Sequence, residues 1–210
     1  MTDPSDTTPD VFGKILAPVI PLIRQEADRL GGDSGTYRLS FGFFTVNILY
    51  CIIKGIGSIS LPVTHIKISP QAKELGLADA SKSMYSEAFA RYSPSAYRCI
   101  FYALLESLNF IGIPEIRELG VFHLTDGSVF PAVMSMTWAS YKKKSNAIKL
   151  HLSFELNRMI PAQFITTPAN TSERKILRQF AEAGITYICD RGYVSFGLFR
   201  DICAKGAGFI

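Results

Sequence analysis

The sequence predicts an α+β chain, in which a helical first part is followed by a mixed α/β second part. Apolar residues recur with a helical period up to about residue 118, and from residue 120 the period changes to two, which is typical of half-buried strands. The 210 residues are 48% hydrophobic and only 19% charged, a composition of ordered proteins. We therefore predict a frayed leader over residues 1–11, a helical domain over 12–118 and a second domain over 119–210.

In the first part, serine and proline mark where the helices begin. Serine is a good cap for a helix N-terminus, and proline fits the first helical position, where its missing N–H is not needed. Pro18 and Pro21 interrupt the first apolar stripe, and the Gly-rich residues 31–35 are predicted to form a loop. The predicted helical segments are 12–30, 39–53 and shorter ones that begin at Ser69-Pro70, Ser83 and Ser93-Pro94.

The second part alternates strands and helices in a defined order. The predicted elements are strands over 121–126 and 128–136, a turn over 142–146, strands over 148–154 and 164–167, a helix over 171–183, a strand over 186–190, a helix over 196–204 and a strand begun at 209–210. Three strands that can meander, followed by helix, strand, helix and strand, predict the opening of a ribonuclease-H-like fold, a mixed sheet flanked by helices.

Two of these strands are predicted to end in an aspartate. In the ribonuclease-H-like layout the strands that carry Asp126 and Asp190 are parallel neighbours, so both acids would lie at the same edge of the sheet. Paired carboxylates suit Mg²⁺, or Mn²⁺, which prefers hard oxygen ligands and can activate an attacking oxygen in phosphodiester chemistry. The alternative interpretation is that each acid caps a following helix or meets solvent.

Positive charge is concentrated in the second part. Residues 121–210 carry a formal charge of +5, whereas residues 1–120 carry −1, which favours a polyanionic partner for the second part. Candidate contacts to DNA phosphates are Lys142, Lys143 and Lys144 at a predicted hairpin tip, together with Lys149 and Arg191. The lysine run is more typical of a solvated turn, which is the favoured interpretation of these three residues. His151 is expected to be a hydrogen-bonded strand histidine rather than a catalytic one.

The sequence favours a cytoplasmic protein. Its four cysteines show no C-x-x-C spacing, which is typical of free thiols in a reducing compartment. The acidic, polar start is unlike a signal peptide. The longest apolar run without charge, between Arg38 and Lys54, has 15 residues, whereas a membrane span needs about 20. We therefore expect a buried helix there and no membrane partner.

The order of motifs resembles the DDE transposases of bacterial insertion sequences, in the insertion-sequence-four group. The helical first part, with Tyr85-Ser86-Glu87-Ala88, is similar to the leading domain of that family, which implies a role in DNA binding. The motifs that carry the resemblance in the second part are Asp126-Gly127-Ser128, Ile148-Lys149-Leu150-His151, Thr166-Thr167-Pro168-Ala169-Asn170 and Tyr187-Ile188-Cys189-Asp190-Arg191-Gly192-Tyr193.

The resemblance implies a catalytic core that uses Mg²⁺ or Mn²⁺ to cut DNA and join it to a target. Asp126 and Asp190 match the first two acids of the family's catalytic triad. The third, a glutamate in a Tyr-Arg-Glu-Lys motif, has no counterpart in this sequence, so we expect an N-terminal fragment that is inactive alone. Family members often carry Asp after the Thr-rich strand, where this chain has Ser172-Glu173.

The partners implied by the resemblance are double-stranded DNA with terminal inverted repeats and a second protein chain. That chain would be another copy or an intact transposase in a mixed complex, with the protein associated with the bacterial nucleoid. Two alternatives remain open at this point: a non-catalytic DNA-binding regulator derived from a transposase, and the non-functional product of a decayed gene.

Overall fold

A computed structural model describes residues 9–31, 39–56, 58, 60–107, 113–132, 136–142 and 145–210. By its internal contacts the chain divides into two compact units, unit 1 over residues 1–109 and unit 2 over residues 110–210. Several predicted features lie outside the described residues: most of the leader, the loop residues 32–35, the end of the predicted strand at 133–135, and Lys143 and Lys144.

The regular elements in the described part of unit 1 are helices. They are α1 (Pro9–Leu16), α2 (Ile20–Arg29), α3 (Phe41–Ile53), α4 (Ser60–Ile68), α5 (Pro70–Glu74), α6 (Lys82–Arg91) and α7 (Pro94–Ser107). The predicted segment 12–30 is two helices, because Pro18 lies in the turn between them and Pro21 occupies the first turn of α2. Helix α6 begins earlier than predicted, since Ser81 rather than Ser83 caps it. Helix α4 was not predicted.

The apolar helix α3 contributes to the core of unit 1 and also carries a buried amide. Phe44 and Tyr50 are buried, and Asn47 is fully buried between them along the same helix. The Asn47 Nδ2 donates hydrogen bonds to the Ala78 carbonyl and to the Tyr85 hydroxyl, both at 2.8 Å. Among the described residues, no helix is both long enough and apolar enough to cross a membrane.

Unit 2 combines helices with one sheet. Its elements are α8 (Pro114–Arg117), β1 (Val121–Ala132), β2 (Ser140–Lys142), β3 (Ser145–Glu155), β4 (Ile160–Pro168), α9 (Glu173–Phe180), β5 (Ile185–Cys189), α10 (Phe196–Ala204) and β6 (Gly208–Phe209). Two short 3₁₀ segments, Thr137–Ala139 and Arg191–Tyr193, precede β2 and α10. Trp138, in the first of them, is 55% exposed.

The two strands predicted over 121–126 and 128–136 are one strand, β1. Gly127 does not end the strand, because the antiparallel ladder to β3 continues without a register shift from His123–Glu155 to Ala132–Asn146. Pro131 is tolerated because its half of β1 is paired to β3 alone, so its missing N–H is not needed on the other side. Asp126 therefore lies within a strand and not at its end.

The sheet is mixed and has the order β4-β3-β1-β5-β6, with β2 also paired to β3. The pairs β1–β3 and β3–β4 are antiparallel, whereas β1–β5 and β5–β6 are parallel. The predicted mixed sheet flanked by helices is confirmed, and its strand order is compatible with a ribonuclease-H-like domain. One apolar core joins α9, α10 and β5, with Leu177, Tyr187 and Leu198 fully buried.

Candidate functional site

Asp126 and Asp190 occupy equivalent positions on neighbouring parallel strands. The last paired residues of β1 and β5 are Thr125 and Cys189, so each aspartate is the residue that directly follows that pair. Asp126 is held on its other side by β3, opposite Leu152, whereas Asp190 has already left its strand. Both side chains belong to exposed residues. Although Asp126 is not at a strand end, the register aligns the two acids as the sequence predicted.

Asp190 begins a tight turn that leads into α10. Its Oδ1 accepts a hydrogen bond of 2.9 Å from the Gly192 amide, and its carbonyl accepts one of 3.1 Å from the Tyr193 amide. Ser195 then caps α10, its hydroxyl accepting from the Leu198 amide. One Asp190 oxygen thus holds the turn, while the carboxylate remains exposed. Asp190 therefore caps the short 3₁₀ turn that follows it, as the alternative interpretation of this acid expected. Its carboxylate is exposed to solvent all the same.

Tyr193 is the buried residue of the short turn that follows Asp190. Its side chain is only 1% exposed, and its hydroxyl has no hydrogen-bond partner among the described residues. Burial raises the pKa of Tyr193, and the negative charges of Glu173, Asp126 and Asp190 raise it further, in that order. A buried hydroxyl without a hydrogen-bond partner among the described residues is uncommon, and such groups occur at functional sites.

Glu173, the first residue of α9, reaches the strand that carries Asp126. A Cβ placed on Gly127 would lie 2.7 Å from the Glu173 Oε1, so the carboxylate fills the space that a side chain there would need. The same oxygen accepts from the Lys149 Nζ at 3.0 Å. Lys149, predicted to contact DNA, has a side chain only 14% exposed and is engaged in this ion pair.

Arg174, the next residue of α9, reaches the turn that carries Asp190. Its Nε and Nη2 donate to the Gly192 carbonyl at 3.1 and 2.9 Å. Two N–H groups of one planar guanidinium on a single acceptor fix both distance and direction. The first turn of α9 therefore contacts both aspartate-bearing segments.

Two further predicted cations, Lys142 and Arg191, are exposed. Lys142 is exposed at the end of β2, with its Nζ 5.1 Å from the ring centroid of Tyr141. Arg191 is exposed in the turn after Asp190. Exposed cations at such positions are able to meet phosphate, and their role in DNA contact stays a prediction.

The two histidines of the sheet are buried in hydrogen-bonded positions. The His151 Nε2 lies 2.9 Å from the Thr167 hydroxyl oxygen, as expected for a hydrogen-bonded strand histidine, and the His123 Nδ1 lies 2.9 Å from the Ser153 hydroxyl oxygen. Burial lowers the pKa of both rings. The charge of Lys149 lowers the pKa of His151 further.

These histidines make unit 2 sensitive to mild acid. In the unfolded chain the two histidines take up protons near pH 6.5. In the folded chain their pKa values are lower, so the folded state loses stability relative to the unfolded state as the pH falls below 6.5. The slope is at most about 1.4 kcal/mol per pH unit for each histidine. Urea unfolding at pH 5.5 and 7.5 should show this loss, and a His123→Gln/His151→Gln variant should show less of it. An equal loss in that variant would contradict the assignment.

The aspartate pair offers two hard-oxygen ligands of the kind that Mg²⁺ or Mn²⁺ prefers. Among the residues that the structure describes, no group of three or more His, Cys, Asp or Glu side chains is arranged to hold a metal ion. Mg²⁺ is usually held by only one or two protein carboxylates. Asp126 and Asp190 therefore fit a site in which water or substrate phosphate supplies the other ligands.

Sequence reasoning missed Arg174 and Tyr193 as neighbours of the acids and recognised Glu173 only as a departure from a family pattern. Glu173 and Arg174 open a helix of high amphipathicity, where polar residues are ordinary. The one available signal was Gly127 directly after Asp126, since a glycine inside a strand often marks a close approach of another group.

Two comparisons with known proteins point to the same kind of protein. The family model for the transposase DDE domain matches residues 121–210, which include the whole sheet, α9 and α10. "Putative transposase y4zB" of Sinorhizobium fredii is 29% identical over 91 residues, which is 43% of this chain and 26% of that protein. The chain thus spans about a quarter of the length of this relative. Both comparisons support a transposase.

Proposed function

We propose that this chain acts in DNA transposition, with unit 2 supplying part of a catalytic domain that binds a divalent metal and DNA. The observation that carries the proposal is the register of β1 and β5, which aligns Asp126 with Asp190. The transposase DDE domain match over residues 121–210 supports the reaction class. The resemblance to the insertion-sequence-four group supports the finer assignment.

In this proposal Asp126 and Asp190 are the metal ligands. Asp126 is carried by a strand paired on both sides up to Thr125, and Asp190 by a turn anchored through Gly192. When bound, Mg²⁺ or Mn²⁺ would activate the attacking oxygen and stabilise the leaving oxygen of a phosphodiester. Both aspartates are exposed, so a DNA backbone could reach them from solvent. The resemblance to the insertion-sequence transposases implies that a glutamate supplies the third carboxylate of the ligand set.

Metal binding tests the ligand assignment. We expect the 210-residue chain to bind Mn²⁺, measured by calorimetry or by electron paramagnetic resonance of the free ion. Asp126→Asn and Asp190→Asn should each weaken binding at least about tenfold, since each removes a charged ligand but keeps the shape. Asp201→Asn, which removes an acid of α10 that is paired to Arg178, is the matched control and should bind as the wild type does. Equal affinity in all four proteins would contradict the assignment.

A non-catalytic DNA-binding role is the second candidate, because no three-ligand metal group is present among the described residues and residues 121–210 carry a charge of +5. Such a chain would occupy terminal inverted repeats, as a homodimer or in a mixed complex with an intact transposase. Metal dependence of DNA binding separates the candidates: binding that Mn²⁺ strengthens in the wild type but not in Asp126→Asn supports the catalytic domain. Salt-dependent DNA binding that neither Mn²⁺ nor Asp126→Asn changes supports the binder.

A further inference from the structure

The pairing between β1 and β5 stops one residue before the two aspartates. Asp126 continues in the ladder to β3, so its backbone is fixed by neighbours on one side. Asp190 lies outside any strand, and its position depends on the turn Arg191–Tyr193. A metal site needs ligands held to within about 0.5 Å. Something other than the sheet must therefore fix the distance between the two carboxylates.

The first turn of α9 supplies contacts to both segments. On one side, Glu173 lies over Gly127, the residue after Asp126, and is held there by Lys149. On the other side, Arg174 donates two hydrogen bonds to the Gly192 carbonyl.

Gly192 is hydrogen-bonded both to Arg174 and to Asp190. Its amide donates to the Asp190 Oδ1 at 2.9 Å, so its two peptide groups face the carboxylate and the guanidinium respectively. A shift of the Gly192 carbonyl therefore moves the amide that orients Asp190. The charges in this region support the same arrangement. Lys149 neutralises Glu173 in an ion pair, so the negative charges of Asp126 and Asp190 can attract a cation.

We propose that the first turn of α9 is a brace, in which Glu173 and Arg174 are positioning residues that set the distance between the Asp126 and Asp190 carboxylates. The inference rests on the proposed function, because its consequence is the affinity of that aspartate pair for a divalent metal. The contacts that Glu173 and Arg174 make do not involve a metal, so the brace can also be tested in the metal-free chain.

Arg174→Ala is the decisive variant. We expect its Mn²⁺ dissociation constant to rise about tenfold, the usual effect of removing a group that orients a metal ligand. Arg174→Lys should recover part of the affinity, because a lysine can donate one hydrogen bond to the Gly192 carbonyl where arginine donates two.

The matched control lies one turn further along the same helix. The Arg178 Nε donates to the Asp201 Oδ2 at 2.7 Å, an ion pair between α9 and α10 that does not involve either acid-bearing segment. Arg178→Ala should therefore bind Mn²⁺ as the wild type does. If it weakens binding as much as Arg174→Ala does, general loosening of α9 explains both, and the brace is wrong. Wild-type affinity in Arg174→Ala would also overturn it.

Amide hydrogen exchange of the metal-free chain tests the brace independently. In Arg174→Ala, a peptide covering residues 190–194 should exchange faster, because the amides of Gly192, Tyr193 and Val194 bond within the turn that Arg174 holds. Unchanged exchange there would overturn the brace. If the wild type and Asp126→Asn bind Mn²⁺ equally weakly, the proposed function fails, and the exchange result alone decides the brace.

Discussion

Replacing Asn47 by alanine is expected to lower the free energy of unfolding by about 3 kcal/mol, because the buried Tyr85 hydroxyl and the half-buried Ala78 carbonyl lose their donor. The Asn47 side chain is fully buried, and its Nδ2 serves both the Ala78 carbonyl and the Tyr85 hydroxyl at 2.8 Å. These bonds connect α3 to the segment before α6 and to α6 itself. Urea unfolding followed by circular dichroism measures the loss.

Two further variants show whether the amide is responsible. Tyr85→Phe removes one of the two partners and should cost only about 1 kcal/mol. The double variant should lose less than the two single losses added together, since the shared hydrogen bond is counted once. Ile52→Ala changes a residue of the same helix that is 67% exposed and should stay within about 0.5 kcal/mol of the wild type. An Asn47→Ala protein as stable as Ile52→Ala would refute the interpretation.

Tyr187→Phe is expected to destabilise unit 2 by about 2 kcal/mol, because its buried hydroxyl connects two backbone groups. The Tyr187 hydroxyl donates to the Phe180 carbonyl at 2.6 Å and accepts from the Glu182 amide at 3.2 Å, which ties β5 to the C-terminal end of α9. Burial raises the pKa of Tyr187 to about 12, so the hydroxyl keeps its proton through the physiological range.

Tyr193→Phe is the matched comparison for Tyr187→Phe. Both rings are buried, yet the Tyr193 hydroxyl has no hydrogen-bond partner among the described residues. Its removal should leave the free energy of unfolding unchanged or raise it slightly. Denaturation midpoints of the two variants measured side by side provide the test. Equal destabilisation would mean that the Tyr193 hydroxyl has a stabilising contact and would contradict this description of the site.

Local patterns were sufficient to predict most helices and strands. The alternation at 148–154 predicted β3, and Ser69-Pro70 and Ser93-Pro94 predicted the starts of α5 and α7, because those signals are contained in a few adjacent residues. Helix α4 was missed because Pro62 lies in its first turn, where proline is tolerated. The break predicted at Gly127 was wrong because the ladder to β3, a long-range contact, carries the strand through it.

In the candidate site, too, some features could be predicted from the sequence and others could not. Asp126 and Asp190 were predicted from strand order, since parallel neighbours align residues that follow equivalent positions. The hydrogen bonds from the Arg174 side chain to the Gly192 carbonyl and from the Lys149 side chain to the Glu173 carboxylate join residues 18 and 24 positions apart. The hydrophobic periodicity of the sequence cannot predict such contacts, because they depend on how α9 lies against the sheet.

The single tryptophan gives the two units separate optical signals. Trp138 belongs to unit 2, and residues 1–109 contain no tryptophan. Intrinsic fluorescence excited at the indole therefore reports on unit 2, whereas the helices α1–α7 of unit 1 contribute strongly to far-ultraviolet circular dichroism. Denaturation curves that coincide for both probes would show cooperative unfolding of the whole chain, and curves that separate would show that each unit melts on its own.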